Sequence, residues 1–401
     1  MREHRLEVAD VFHQCGGAFL KRWGHTVSSQ QRKALRDIGA CRTAALGGHL
    51  EQCDHCSHQA IAYNSCRNRH CPKCQSTARD QWLAARAKEL LPVPYCHVVF
   101  TIPALLAPLA LQNQRLVYGL LFRAVSQTMI AIAADPRLLG AQIGFLAVLH
   151  TWSQNLLHHP HIHCVVPAGG LAPDGSRWIG CRRKFFLPVE VLSQMFRGKF
   201  LALLREAFAG GKLQFHGQLA SLRESARFHA LLDQLKNIKW VVYAKPPFGG
   251  PECVLKYLAR YTHRVAISNG RLLSLENGQV TFRWRDSKDN NQTKTMTLDA
   301  VEFIRRFLLH ILPSGFVKIR HFGFLSSRRR SAALAVCRAR LPQPAAGAGA
   351  VPILSDQQQS AVERRCPVCQ TGHLHIRAWL SAEELLVRIA HAGPVPLVDS
   401  S

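Results

Sequence analysis

The feature that most constrains this chain is a run of cysteines and histidines between residues 41 and 74. It contains Cys41, Cys53, Cys56, Cys66, Cys71 and Cys74, with His49, His58 and His70 among them. Two of its segments read CDHC at 53–56 and CPKC at 71–74. In a chain that opens on the polar stretch MREHRLEVAD, without an apolar leader, paired CxxC segments among histidines read as metal sites rather than disulfides. The spacing predicts one tetrahedral zinc held by Cys53, Cys56, Cys71 and Cys74, each CxxC forming a knuckle. Ligands remain for a second zinc from Cys41, His49, Cys66 and His70; the alternative for Cys66 and His70 is packing or DNA contact. A further CPVC segment supplies Cys366 and Cys369, with His373 and His375 following. These four read either as a small zinc site of their own or as half of a ribbon lacking its partner.

The charge points to the partner. The chain has 401 residues, with 51 Lys and Arg against 25 Asp and Glu, a net charge of +26. Its 47% hydrophobic content is enough for packed cores, so it is not a disordered basic tail. Such a charge calls for a polyanion, nucleic acid or an anionic membrane. The longest apolar stretch, 93–111, is interrupted by Pro94, Pro103 and Pro108, so no membrane helix is expected and nucleic acid remains. Arg67, Arg69 and Lys73 within the cysteine cluster, and Lys318, Arg320, Arg328, Arg329 and Arg330 near the end of the folded region, are the expected phosphate contacts.

The pattern along the chain predicts α+β architecture with an antiparallel sheet. Helices are expected over 1–40, 76–91, 113–134, 188–208, 217–236, 251–262 and 299–312. Strands are expected over 95–102, 145–151, 161–166, 239–244, 271–275, 280–285 and 293–298. Asn277-Gly278 marks a tight hairpin turn. The expected division is a helical and zinc-binding domain at 1–92, a catalytic domain at 93–335, a flexible linker at 336–365 and a tail at 366–401.

Two segments carry candidate chemistry. In the strand HHPHIHCVV at 158–166, His161 and His163 are two residues apart and so share a face, where two imidazoles can hold one divalent cation. A third ligand is needed; Gln154 is favoured by position, with His97 and His159 as competitors. In the helix expected after Gly249-Gly250-Pro251, Tyr257 and Tyr261 stand four residues apart on one face, with Lys256, Arg260 and Arg264 around them. A phenol is a weak nucleophile at neutral pH, but metal polarisation of a phosphodiester makes its attack feasible. Asp174, Asp286, Asp289 and Glu302 could furnish a carboxylate-triad enzyme, but they are few and lie in turn-like contexts. A zinc-finger DNA binder without catalysis would leave the histidine strand and the tyrosine pair unused. No phosphate-binding glycine loop is present, so ATP hydrolysis is not expected.

Taken together, YNSCRNRHCPKCQ at 63–75, HVVFTIP at 97–103, HTWSQNLLHHPHIHCVVPAGG at 150–170, KYLARYTHRVAISN at 256–269 and GFVKIRHFGFLSSRRR at 315–330 resemble the HUH endonucleases. More closely, they resemble the two-tyrosine rolling-circle insertion-sequence transposases of the IS-ninety-one type. The resemblance implies an antiparallel ferredoxin-like or RRM-like sheet with helices on one face and a small N-terminal zinc-binding domain. It implies that His161 and His163 bind Mg²⁺ or Mn²⁺ and that Tyr257 and Tyr261 are the nucleophiles. The implied activity is nicking and rejoining of single-stranded DNA at element ends through 5′-phosphotyrosine links. Double-stranded DNA at the ends and target and the host replication machinery are implied partners, in the bacterial cytoplasm at the nucleoid. A relaxase or replication initiator would use the same chemistry.

Overall fold

The computed structural model describes residues 5–181, 187–248, 254, 265–286, 289–326, 328, 330–341 and 364–392. Helices α1 (Val8–Trp23) and α2 (Ser29–Ala40) come first. The side chains of Ser28 and Gln31 close a reciprocal cap on α2, satisfying two otherwise orphaned amides. Strands β1 (Gly48–Cys53) and β2 (Gln59–Tyr63) form a hairpin, and α3 (Cys74–Ala87) follows. The sequence predicts α3 from residue 76; it starts two residues earlier because the last cysteine turn runs directly into it.

Next come β3 (Tyr95–Thr101), α4 (Ala107–Gln112), α5 (Gln114–Ala134), β4 (Gly144–Trp152) and β5 (His158–Pro167). A short pair, β6 (Gly169–Leu171) and β7 (Trp178–Gly180), leads to α6 (Val189–Ala209), α7 (Ser225–Asn237) and β8 (Val241–Phe248). The meander of β9 (Leu272–Glu276), β10 (Gln279–Asp286) and β11 (Gln292–Asp299) is followed by α8 (Ala300–Leu308), β12 (Ile319–Gly323) and α9 (Arg330–Arg340). The chain then supplies β13 (Leu374–Leu380) and α10 (Ala382–Ala392).

The central sheet has five strands in the order β12-β4-β5-β3-β8, every neighbouring pair antiparallel. Alternation gives it two different faces. Phe145, Ala147 and Leu149 on β4, Ile162, Cys164 and Val166 on β5, and Cys96, Val98 and Phe100 on β3 point into one core with α4, α5, α6 and α7. Phe100, Phe196, Phe200 and Trp240 pack ring to edge there. Helix α5 is long and apolar enough to cross a membrane, but 67% of its most apolar window is buried in this core. The opposite face carries the histidines and a smaller apolar cluster of Tyr95, Leu146, Val148, Val165 and Val254, against which Trp82 and Leu83 of α3 pack.

A second large core joins distant parts of the chain. Val8, Phe12 and Phe19 of α1, Cys41, Cys71 and Cys74, Trp152, Phe282, and Phe303 and Phe307 of α8 lie in one cluster. The expected boundary at residue 92 therefore does not separate two cores. The N-terminal helices bury their apolar faces against α8 and the meander. The tail does not stand apart either: β13 pairs antiparallel with β1, making the sheet β13-β1-β2.

Candidate functional site

The β4–β5 hairpin sets the histidine geometry. Its register puts His150 opposite His161 and Val148 opposite His163, so all three imidazoles lie on the same face. Ring centroids are 5.5 Å apart for His150–His161, 4.5 Å for His150–His163 and 4.9 Å for His161–His163. One nitrogen from each ring lies within 4.8 Å of the others. His150 and His163 are buried, while His161 is half-buried and opens the group toward solvent. The sequence reading did not single out His150. Gln154, expected as third ligand, lies beyond β4 in the turn, where its backbone carbonyl accepts a hydrogen bond from Arg271 at 2.5 Å.

Neighbouring groups fix which nitrogens face the centre. His161 Nδ1 is 2.7 Å from the carbonyl of His159 and donates to it, so the lone pair is on Nε2. His163 Nδ1 is 2.8 Å from His97 Nε2, with the two rings parallel. Burial, reinforced by Lys245 and His161, pushes His97 down to about 3, so its ring is neutral and holds His163 Nδ1 in a hydrogen bond. His97, a competitor for third ligand, thus stands behind a ligand candidate and orients it. On the other flank, Trp152 stacks on His150 with centroids 4.7 Å apart. Trp152 also lines a cavity of about 20 Å³ with Arg69, His70, His310 and Lys318. Burial beside Arg69 brings the Lys318 ammonium down to about 8.

Tyr257 and Tyr261, with Lys256, Arg260 and Arg264, lie outside the described residues, as does Arg329. Val254, three positions before Tyr257, is buried on the histidine face of the sheet.

The thiols are grouped differently from the sequence expectation. Cys41, Cys66, Cys71 and Cys74 form one set of four, and Cys53, Cys56, Cys366 and Cys369 form another. The expected Cys53–Cys56–Cys71–Cys74 grouping fails because β1 and β2 carry CDHC to the far end of their hairpin, whereas Cys41 and Cys66 flank its near end. In the first set, Cys41 and Cys66 approach the Cys74 sulfur at 3.5 and 3.6 Å. The imidazoles of His49, His70 and His375 are engaged elsewhere. His49 contacts Glu51 at 3.0 Å, and His70 Nε2 accepts the Leu312 amide at 3.2 Å. Burial and the charges of Lys318 and Arg69 push His70 down to about 3. His375 meets Asp54 at 3.2 Å, and the His373 amide donates to the same carboxylate at 2.8 Å.

Several expected DNA contacts are internal braces. Arg69 donates to the carbonyls of Phe316, Leu312 and Pro313. Lys73 pairs with Glu7 at 2.7 Å, and Arg330 with Glu89 at 3.0 Å. Arg320 lies over the ring of Phe122 at 4.2 Å. Arg67 and Arg328 are exposed.

Comparison with known proteins accounts for both halves of this arrangement. Residues 144–332 match a family model described as "Putative transposase", and residues 11–102 match one described as "Transposase zinc-binding domain". The "Putative transposase y4qJ" of Sinorhizobium fredii is 54% identical over 92% of this chain and 94% of its own length. The "Transposase for insertion sequence element IS801" of Pseudomonas savastanoi pv. phaseolicola is 29% identical over 80% of this chain and 76% of its own length. No solved structure matches the chain. The thiol sets and the zinc-binding match together support structural zinc. The extent of the two relatives and the order of the two matched regions place the chain in the family of IS91-type transposases with an N-terminal zinc-binding domain.

Proposed function

We propose that this transposase nicks and rejoins single-stranded DNA at the ends of its element through 5′-phosphotyrosine links, on an HUH-type sheet. The observation that carries this reading is the imidazole triad of His150, His161 and His163 on the open face of the central sheet. With His161 and His163 each held through Nδ1, their Nε2 atoms suit a divalent ion, Mn²⁺ or Mg²⁺. Such an ion would supply Lewis-acid polarisation of a scissile phosphate.

The nucleophile is the phenol of Tyr257 or Tyr261. Its oxygen attacks phosphorus, the bond from phosphorus to the 3′ oxygen breaks, and the phenol proton ends on the departing 3′ oxygen. The 3′-OH so released is a primer for host replication, and the second tyrosine serves the other strand transfer. Val254, three positions before Tyr257 in sequence, is buried on the histidine face, and this supports the assignment. Of the expected phosphate contacts, Arg67 and Arg328 are exposed and positioned to meet DNA in this reading.

The test is covalent trapping. Purified protein is mixed with end-derived single-stranded oligonucleotide and Mn²⁺, then denatured in detergent and run on a gel. The expected result is a metal-dependent protein–DNA adduct, lost in the Tyr257→Phe/Tyr261→Phe double variant and in His161→Ala. Cleavage that survives loss of both tyrosines would refute the proposal. Zinc-dependent DNA binding without any adduct would favour a non-catalytic binder.

A further inference from the structure

We propose that Cys53, Cys56, Cys366 and Cys369 bind a second zinc ion, one shared by the two ends of the chain, which clasps residues 364–392 onto the N-terminal zinc sheet. Neither matched family region reaches these last residues. The proposal is independent of the tyrosine chemistry.

The sulfur spacing is that of a metal site. Cys53 and Cys369 sulfurs are 3.7 Å apart, and Cys56 and Cys366 sulfurs 3.6 Å apart. A tetrahedron with metal–sulfur bonds of about 2.3 Å has edges of roughly 3.8 Å, whereas a disulfide would bring two sulfurs to about 2 Å. Four thiolates in a tetrahedron select zinc, with iron as the competing metal.

Both CxxC turns are built as matching knuckles. The amides of His55 and Cys56 point at the Cys53 sulfur, at 3.4 and 3.5 Å. In the second turn the Val368 amide points at the Cys366 sulfur at 3.4 Å, and the Gly372 amide at the Cys369 sulfur at 3.3 Å. Amides aimed at sulfur stabilise thiolate over thiol, as a zinc site requires. Gly372 fits where a side chain could not: a Cβ there would lie 2.5 Å from the Cys53 sulfur and 2.6 Å from the His55 Cβ.

The surrounding contacts hold the same register. Asp54 and His373 exchange backbone and carboxylate hydrogen bonds across the knuckles. Arg364 pairs with buried Glu51 at 2.9 Å. Strand β13 continues the pairing along β1, and Leu385 of α10 is buried with Ile61 and Leu380. One half-site therefore comes from β1 and the other from a segment some three hundred positions later. A strand pair with one small apolar cluster is a marginal attachment for so distant a segment, and a metal that bridges the two turns fixes it.

The test uses the full chain with a protease site inserted between 342 and 363. Metal analysis should give two zinc ions per wild-type chain and one in the Cys366→Ser/Cys369→Ser variant. After cleavage, the C-terminal fragment should co-elute with the rest of the wild-type chain and separate from it in that variant. Cys369→His, which keeps a zinc donor, should retain both the second ion and the fragment. Should the double Ser variant prove insoluble, cobalt-loaded wild-type chain should show thiolate-to-metal absorption for eight thiolates. One zinc per wild-type chain, absorption for only four thiolates, iron in the second site, or a fragment that stays attached in the soluble Ser variant would each overturn the proposal.

Discussion

His150 has two roles in the geometry: its ring faces His161 and His163 on one side and stacks on Trp152 on the other. His97 has one, orienting the His163 ring through a hydrogen bond to its Nδ1. Removing the two should have different consequences. His150→Ala is expected to lower metal-dependent adduct formation at least ~100-fold and not to recover at high metal. His97→Ala should cost about 10- to 100-fold in metal affinity and recover as Mn²⁺ is raised, because only the orientation of a ligand is lost. A titration of adduct yield against Mn²⁺ separates the two, and equal, metal-insensitive losses would remove the distinction. His161 and His163 are legible in sequence because alternation in a strand needs no partner strand. His150 is not, since its place depends on the β4–β5 register, which brings together residues eleven positions apart. Arginines are deceptive for a related reason. Arg69 looks like a phosphate contact in sequence, but its guanidinium is taken up by three carbonyls near the end of α8.

At the level of elements, local chemistry is more informative. Asn277 and Gly278 adopt φ of 50° and 73°, as a primed hairpin turn between β9 and β10 requires. The three meander strands fall within one or two residues of their expected limits. Helix α8 shows how the meander is tied down: Asp299 accepts from the amides of Val301 and Glu302 at its start, and Phe307 meets Phe12 of α1 edge to face at 5.4 Å. Asp299→Ala leaves those amides without their side-chain partner and should destabilise the protein by about 1 kcal/mol. A thermal melt reads this as a small downward shift, and an unchanged midpoint would mean that packing against α1 alone sets the helix start. Sequence reasoning fails where an element's position depends on a distant partner. Nothing local in LHIRAWL announces that β13 completes a sheet begun at residue 48.

Across the whole molecule, the first thiol set and the histidine triad are mechanically continuous. Cys41, Cys71 and Cys74 belong to the same buried cluster as Trp152, Phe282 and Phe303, and Trp152 stacks on His150. Arg69, inside the same cysteine turn, grips the carbonyls of Leu312, Pro313 and Phe316 just before β12. Four close sulfurs repel one another as thiolates without a metal, so bound zinc is expected to hold the cluster together. Loss of that ion should therefore loosen the seat of Trp152 and, with it, His150. Cys71→Ser is expected to abolish adduct formation although residue 71 touches none of the three histidines, and to broaden the thermal transition. Tryptophan fluorescence should report the disturbance, because Trp152 moves from a packed site to a wetter one. A Cys71→Ser protein that lacks this zinc yet forms the adduct at wild-type rate would show that the zinc unit and the sheet are uncoupled despite their common core.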